Sequence, residues 1–169
     1  MSESLYDDLL RHAADEPTDA WLQRLADSLH EQKRYHKLFD ALILRRKAEL
    51  GLPVSRPAAL SDVPQELRKQ VEESYIAAAR EVGRLFLEAG NIPDAWMYLQ
   101  VIREPEPVRE AIEAYPIPAQ SDDASEQIIR IALFDGVHPT KGVRMMLRLH
   151  GTCSTITSLD QALGNLPQD

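Results

Sequence analysis

The residues best suited to chemistry are the histidines and the single cysteine, Cys153. His150 and Cys153 are separated by two residues, which is the spacing of half a zinc site. No second close pair accompanies them, and His138 would join only if the chain folded back. A cationic group near a helix C-terminus and a small buried thiol explain the pair more simply. We therefore predict no metal and no cofactor. The alternative is a metal-binding or enzyme-associated accessory domain with a site near these three residues.

Paired carboxylates and a basic ridge are the other candidates for chemistry. The acidic pairs are Asp7-Asp8, Glu72-Glu73 and Asp122-Asp123. They occur in polar stretches or expected first turns of helices, where solvation or capping explains them. Thr140, Lys141 and Gly142 are phosphate-loop residue types in the wrong order, which favours a helix first turn instead. The basic ridge is expected to be solvated and consists of Lys141, Arg144 and Arg148. We predict that the protein is not an enzyme.

Length and composition suit one domain or one short array of repeats. The chain has 169 residues, a net charge of −8 and an apolar fraction of 44%, values typical of a folded acidic protein. The acidic balance argues against nucleic acid as a partner, because phosphates favour clustered Lys and Arg. A single cysteine suits a reducing compartment, and the sequence has neither a secretory signal nor a membrane-spanning run. We expect a cytoplasmic protein that binds neither membranes nor nucleic acid.

Amphipathic helices must position these residues, and the clearest pair surrounds Gly90. From Leu67 to Ala89, apolar residues recur at three- and four-residue steps, which predicts one side of a long helix. Gly90 suits a left-handed helix C-terminus, Asn91 a cap, and Pro93 the first turn of the next helix. That second helix is expected to end at the prolines Pro105 and Pro107. So short a link predicts antiparallel packing of the two helices.

This helix pair resembles one unit of a tetratricopeptide-type helical repeat. The family has a large apolar residue followed by a small one, then a turn residue, a small contact residue, core residues and a closing proline. The matching positions here are Val82-Gly83, Gly90, Ala95, Leu99 with Ile102, and Pro107. The resemblance implies antiparallel helical hairpins stacked as a short α-solenoid. The alternative is an irregular all-α bundle.

A further hairpin is predicted from a repeated layout of helix, glycine, two residues, proline and helix. Here the glycine is Gly136 and the proline is Pro139. Asp123 and Glu126 have capping-box spacing at the start of the first helix. The apolar stripe before the turn is Ile128, Ile129, Ala132 and Leu133. The stripe after it is Val143, Met146, Leu147 and Leu149.

The C-terminal residues are predicted to contain one loop and one short helix. Gly151 should end the preceding helix, residues 152–157 form a loop, and residues 158–163 open a short helix. Repeat arrays need a polar capping element at the end. Either this short helix covers the last hairpin, or the chain is part of a longer protein.

The N-terminal part contains further helices. One is predicted over Leu5–Ala14 with a Ser4 cap. From Asp19 to Leu50 apolar residues recur at the spacing of an amphipathic helix. Lys33-Arg34 interrupts this pattern and indicates a turn without glycine. One continuous helix is the alternative.

The stretch Tyr6–Leu50 also resembles a short bacterial module called the repeat-companion domain. The residues that carry this likeness are Arg24, Leu25, Ala26, Asp27, Leu29 and Glu31. That family has no established activity to transfer, so the likeness implies helices and no function.

The predicted organisation has three parts. Residues 1–50 form an N-terminal helical region, residues 51–63 a proline-containing linker, and residues 64–169 two hairpins with a short terminal helix. The hairpins are expected over residues 64–107 and 121–151.

The repeat resemblance also implies where a partner would bind. In the family, the first helix of each hairpin lines a concave groove. The residues here that correspond to that surface are Arg80, Arg84, Glu88, Glu126, Arg130, Gln23, Asp27 and His30. Arg80 and Arg84 could together bind a carboxylate or backbone carbonyl of a peptide. A surface network of Arg and Glu side chains is the alternative. We predict a scaffold that binds a peptide or partner helix.

Overall fold

A computed structural model describes residues 18–54 and 63–164, without the side chains of Asp19 and residues 161–164. All regular structure in these residues is helical, and they contain no strand. The prediction of an all-α fold is therefore confirmed. The predicted helix Leu5–Ala14 and its Ser4 cap lie outside the described residues, as does most of the predicted linker.

The described residues form the following α-helices. They are α1 Thr18–Glu31, α2 Tyr35–Glu49, α3 Gln65–Glu88, α4 Ile92–Leu99, α5 Glu106–Ala114, α6 Asp123–Ile129 and α7 Pro139–Gly164. A π-helical turn, Arg130–Phe134, directly continues α6. In this part of the chain no helix combines the length and apolar character that crossing a membrane requires.

The chain divides into two compact units, Met1–Val82 and Gly83–Asp169. In the first unit, α1 and α2 pack against each other, and the rings of Phe39 and Tyr75 meet edge to face with centroids 5.0 Å apart. The predicted organisation into residues 1–50, 51–63 and 64–169 stays a prediction, because residues 55–62 are not described.

The turn between α1 and α2 occurs where the sequence predicts it. Lys33 adopts a left-handed conformation with φ 55°, and the Arg34 N–H donates to the Leu29 carbonyl at 2.9 Å. This closes α1 without a glycine. The alternative of one continuous helix over residues 19–50 is wrong.

In the second unit, the Gly90 turn has the predicted chemistry. Gly90 has φ +76°, a conformation that costs glycine least. The Asn91 side chain accepts the Asp94 N–H at 3.1 Å and caps α4, while Pro93 lies in the first turn. Ala95 and Leu99 are buried as expected.

The predicted end of this helix is wrong. α4 stops at Leu99, because the Glu104 N–H donates back to the Leu99 carbonyl at 3.0 Å and Arg103 turns left-handed with φ 58°. Pro107 therefore does not close a unit. It lies in the first turn of α5, where a missing N–H is tolerated.

The last helix also differs from its prediction. α7 begins at Pro139 as expected, and Gly151 interrupts it with φ 78° and ψ 177°. Residues 152–157, predicted as a loop, are helical. The Thr155 hydroxyl donates to the Gly151 carbonyl at 2.8 Å, a local bond between this helical stretch and the interruption.

The buried side of α7 is shifted from the predicted stripe. Met145 and Met146 are buried, whereas Leu147 is 46% exposed. Gly142 explains the shift, because a Cβ there would lie 2.9 Å from the Leu133 Cβ. The missing side chain lets α7 approach Leu133 closely on the side that carries Met145 and Met146.

Candidate functional site

An open groove of about 620 Å³ lies between α6 with its π-helical turn and α7, within the second unit. We call it the α6–α7 groove. Its first side consists of Glu126, Ile129, Arg130, Phe134 and Asp135. Its second side consists of Met146, His150, Ser154 and Ser158, spaced four residues apart along α7. The groove therefore combines apolar, charged and hydroxyl groups along two helices.

The start of α6 is fixed by a capping box. The Asp122 carboxylate accepts the Ser125 N–H at 2.8 Å, and the Ser125 hydroxyl oxygen accepts the Asp122 N–H at 2.9 Å. The Ser125 N–H, and then the Ser125 hydroxyl, lower the pKa of Asp122 below its usual 3.8. Burial, and then the charge of Asp122, raise the pKa of Tyr115 above its usual 10.0. The predicted box of Asp123 and Glu126 is wrong by one residue, because Asp122 and Ser125 occupy those positions.

The π-helical turn places an aromatic ring at the groove. The Asp135 N–H donates to the Arg130 carbonyl at 3.1 Å, five residues earlier. The extra residue in the turn changes which positions face the core. Leu133 is buried, whereas its neighbour Phe134 is 49% exposed. A large aromatic side chain thus remains partly in solvent at one edge of the groove.

Hydrogen bonds connect the turn between α6 and α7 to the neighbouring helices α4 and α5. The Trp96 indole N–H donates to the Asp135 carboxylate at 2.8 Å. The Arg109 Nε–H donates to the Val137 carbonyl at 2.9 Å. These bonds fix the end of the groove from neighbouring helices rather than from the turn itself.

The first turn of α7 is held by α5. His138 Nε2 lies 3.0 Å from a carboxylate oxygen of Glu113, and the buried Lys141 ammonium donates to the Glu113 carbonyl at 2.8 Å. The predicted solvated ridge is therefore wrong for Lys141, while Arg144 and Arg148 are exposed. The expectation that Lys141 and Gly142 lie in a helix first turn is confirmed.

One close contact between side chains joins the two sides of the groove. His150 Nε2 lies 2.9 Å from Glu126 Oε1, and the Ser121 hydroxyl donates to the same oxygen. The carboxylate of Asp135 already accepts the Trp96 N–H. Both acids of the groove therefore accept hydrogen bonds within the fold.

Arg130 differs from the other charged groups of the groove. It is exposed, and its side chain has no ion pair or hydrogen bond among the described residues. The hydroxyls of Ser154 and Ser158 likewise have no hydrogen bond there. Hydrogen-bond donors are thus available at Arg130 and along α7.

The structure brings together only part of the predicted binding surface. Arg130 lines the α6–α7 groove, one helical turn from Glu126. Arg84 and Glu88 are exposed on α3, and no ion pair joins them in the described residues. Arg80, also on α3, is half-buried and already interacts with other groups.

The other predicted residues, Gln23, Asp27 and His30, are exposed on α1 in the first unit. Asp27 accepts a hydrogen bond from the Gln23 side chain at 2.8 Å. The ring centroids of His30 and Tyr35 lie 6.3 Å apart. Their role in binding stays a prediction.

The candidate metal residues do not form a ligand set. His138 and His150 each contact a different glutamate. Cys153 is exposed, so the prediction of a buried thiol is wrong. The described residues contain no group of three or more His, Cys, Asp or Glu that could hold a metal ion.

The described residues also form two smaller clefts. One, of about 480 Å³, lies beside the Gly90 turn and includes Asp94, Tyr115 and Asp123. The other, of about 150 Å³, lies in the first unit between α2 and α3 and includes Arg45 and Glu81. Neither includes one of the large apolar residues that are exposed.

Comparisons of the chain with models of protein families, with curated proteins and with solved structures find no match. The resemblances to the tetratricopeptide and repeat-companion families therefore stay predictions from the residues alone.

Proposed function

We propose that this protein is a non-catalytic interaction scaffold that binds a peptide or partner helix of another protein. The observation that carries the proposal is the α6–α7 groove, which partly exposed Phe134 lines together with Met146 and charged Arg130. Protein-binding sites commonly combine an aromatic anchor with arginine and a polar rim. Desolvating Phe134 against a partner would supply affinity, and the charged groups would supply orientation.

The size of the groove favours a few inserted side chains over a whole buried helix. A volume of about 620 Å³ lies within the usual range of about 300–1,000 Å³ for ligand pockets. We therefore propose that the partner inserts two or three side chains from a short segment. The rest of that segment would remain outside the groove.

The proposed architecture is a set of antiparallel hairpins stacked in the tetratricopeptide manner. Short turns at Lys33 and Gly90 support this arrangement, since each connects two helices through only three residues. The close approach of Gly83 to Leu99 also supports it, because the repeat family has a small residue at this position. The surface of Arg84 and Glu88 on α3 is then the second place where a partner could bind.

Selection from a displayed library of random peptides against the immobilised full chain tests the proposal. We expect peptides that bind wild type and lose about tenfold or more affinity for Phe134→Ala. Met97→Ala is the matched control, because Met97 is 55% exposed in the same unit but does not line the groove. Circular dichroism would verify that both variants keep their helical content.

Two outcomes would contradict the proposal. In the first, repeated selections enrich no peptide for the folded wild-type chain. In the second, enriched peptides bind Phe134→Ala as tightly as wild type. Loss of affinity in Met97→Ala alone would place the binding surface outside the groove.

A further inference from the structure

We propose that the segment bound in the α6–α7 groove carries one side-chain carboxylate next to a large apolar side chain, with Arg130 receiving the carboxylate. This inference rests on the proposed function, since it names the chemistry of the partner for the same groove.

The acidic groups of the groove already accept hydrogen bonds within the fold, whereas Arg130 donates none within the part of the chain that the structure describes. Glu126 accepts a hydrogen bond from Ser121 and lies 2.9 Å from His150 Nε2, and Asp135 accepts a hydrogen bond from Trp96. Arg130 has no partner in the described residues. A guanidinium offers five N–H donors in a planar fork that matches a carboxylate. The N–H donors of Arg130 are therefore available to bind an anionic acceptor.

The acids of the groove limit how much negative charge the partner can carry. Glu126 and Asp135 both line the same groove as Arg130. A run of acidic residues would bring like charges together, which is unfavourable. The complementary segment therefore has a single carboxylate at Arg130 rather than an acidic stretch.

The position of Arg130 determines which kind of side chain can lie next to that carboxylate in the bound segment. Arg130 and Phe134 are four residues apart and both line the groove, with Ile129 and Met146 as further apolar lining. A segment whose carboxylate reaches Arg130 can place an adjacent side chain on these apolar groups. Because the groove is open rather than enclosed, an internal segment fits it without a chain end.

Two serine hydroxyls of the groove are further hydrogen-bond donors. Ser154 and Ser158 lie on the α7 side and have no hydrogen bonds among the described residues. They can donate to backbone carbonyls of a bound segment. The carboxylate and apolar side chain would thus define the sequence preference, and the hydroxyls would contribute contacts that any segment can make.

Short synthetic peptides, acetylated and amidated so that their ends are uncharged, test this inference. Each set has a randomised background with a Phe-Asp, Phe-Asn or Phe-Lys pair at its centre. Binding to the full chain is measured by fluorescence anisotropy of a labelled peptide. On wild type we expect the Asp set to bind about tenfold more tightly than the Asn set, because a charge-assisted bond is lost.

Charge reversal at Arg130 gives the decisive comparison. In Arg130→Glu the preference should reverse, so that the Lys set binds best. Arg144→Glu is the matched control, because Arg144 is exposed on α7, has no partner in the described residues and does not line the groove. It should leave the wild-type preference unchanged.

The outcomes separate this inference from the proposed function. Equal binding by all three sets, lost in Phe134→Ala, overturns the carboxylate inference and leaves the groove as a binding site. A preference for Asp that persists in Arg130→Glu also overturns it. Binding by a peptide with a free C-terminus, but by none of the blocked sets, assigns the anion to a chain end instead. Absence of binding by every peptide contradicts both proposals.

Discussion

Replacement of Gly142 by alanine tests whether the groove depends on close packing of α7 against the π-helical turn. An added Cβ would lie 2.9 Å from the Leu133 Cβ, 3.0 Å from the Leu133 backbone nitrogen and 3.2 Å from the Ala132 Cβ. These atoms are fixed to the backbone, so no rotation of a side chain relieves the contact. The helices must therefore move apart.

The magnitude follows from two opposing effects. Overpacking of a tight contact costs about 1–3 kcal/mol. Alanine is favoured over glycine inside a helix by about 1 kcal/mol. We therefore expect Gly142→Ala to lower the free energy of unfolding by up to about 2 kcal/mol. Each kcal/mol corresponds to a decrease in Tm of about 2–4 °C.

The assay is urea unfolding followed by circular dichroism. Arg148→Ala, on the exposed side of α7, should change stability by less than about 0.5 kcal/mol. Leu133→Ala should not rescue Gly142→Ala, because the nearest Leu133 atoms, Cβ and the backbone nitrogen, remain. A gain of about 1 kcal/mol in Gly142→Ala would refute the close approach, because only helix propensity would then be acting.

Two further predictions concern the backbone at Gly151 and the helix cap at Asp122. Gly151→Ala should cost about 1–3 kcal/mol in thermal unfolding, because φ 78° and ψ 177° lie in a region that only glycine occupies easily; an unchanged Tm would contradict that conformation. The folded pKa of Asp122 is lowered below 3.8, so its stabilising contribution is complete above 3.8 and is lost as pH falls through the folded value. The difference in urea midpoint between wild type and Asp122→Ala should therefore shrink in acid. An NMR titration should give a carboxyl pKa below 3.8 that rises in Ser125→Ala, and a value at or above 3.8 in wild type would refute the cap.

The positions of most turns could be predicted because particular residue types mark them. Gly90 with Asn91 and Pro93 supplies a helix end, a cap and a new first turn, and all three occur as expected. Local backbone preferences determine these features, so they are present in the sequence itself. Gly136 and Pro139 were predicted on the same grounds, and α7 begins at Pro139.

The helical stretch after Gly151 could not be predicted from residue types. Thr152, Ser154 and Thr155 have low helix propensity, which favoured a loop. Thr155 is nevertheless buried, and its hydroxyl bonds to the Gly151 carbonyl. Packing and a local hydrogen bond therefore outweigh propensity at this position.

The candidate site was only partly visible in the sequence. Arg130 was identified from its expected helix face, whereas Phe134 and the contact between Glu126 and His150 were not predicted. The π-helical turn has no residue type that marks it. One available signal was the apolar run Ile128–Leu133, interrupted only by Arg130, which is too continuous for one side of an ordinary α-helix.

Chemical-shift mapping of the full chain with a selected peptide tests the central claim most directly. If the α6–α7 groove binds the segment, the largest amide shifts should cluster at Arg130, Phe134 and His150. They should disappear with a peptide whose apolar residue is replaced by serine. Shifts that cluster instead around Arg84 and Glu88 on α3, with none at Phe134, would contradict the groove as the binding site.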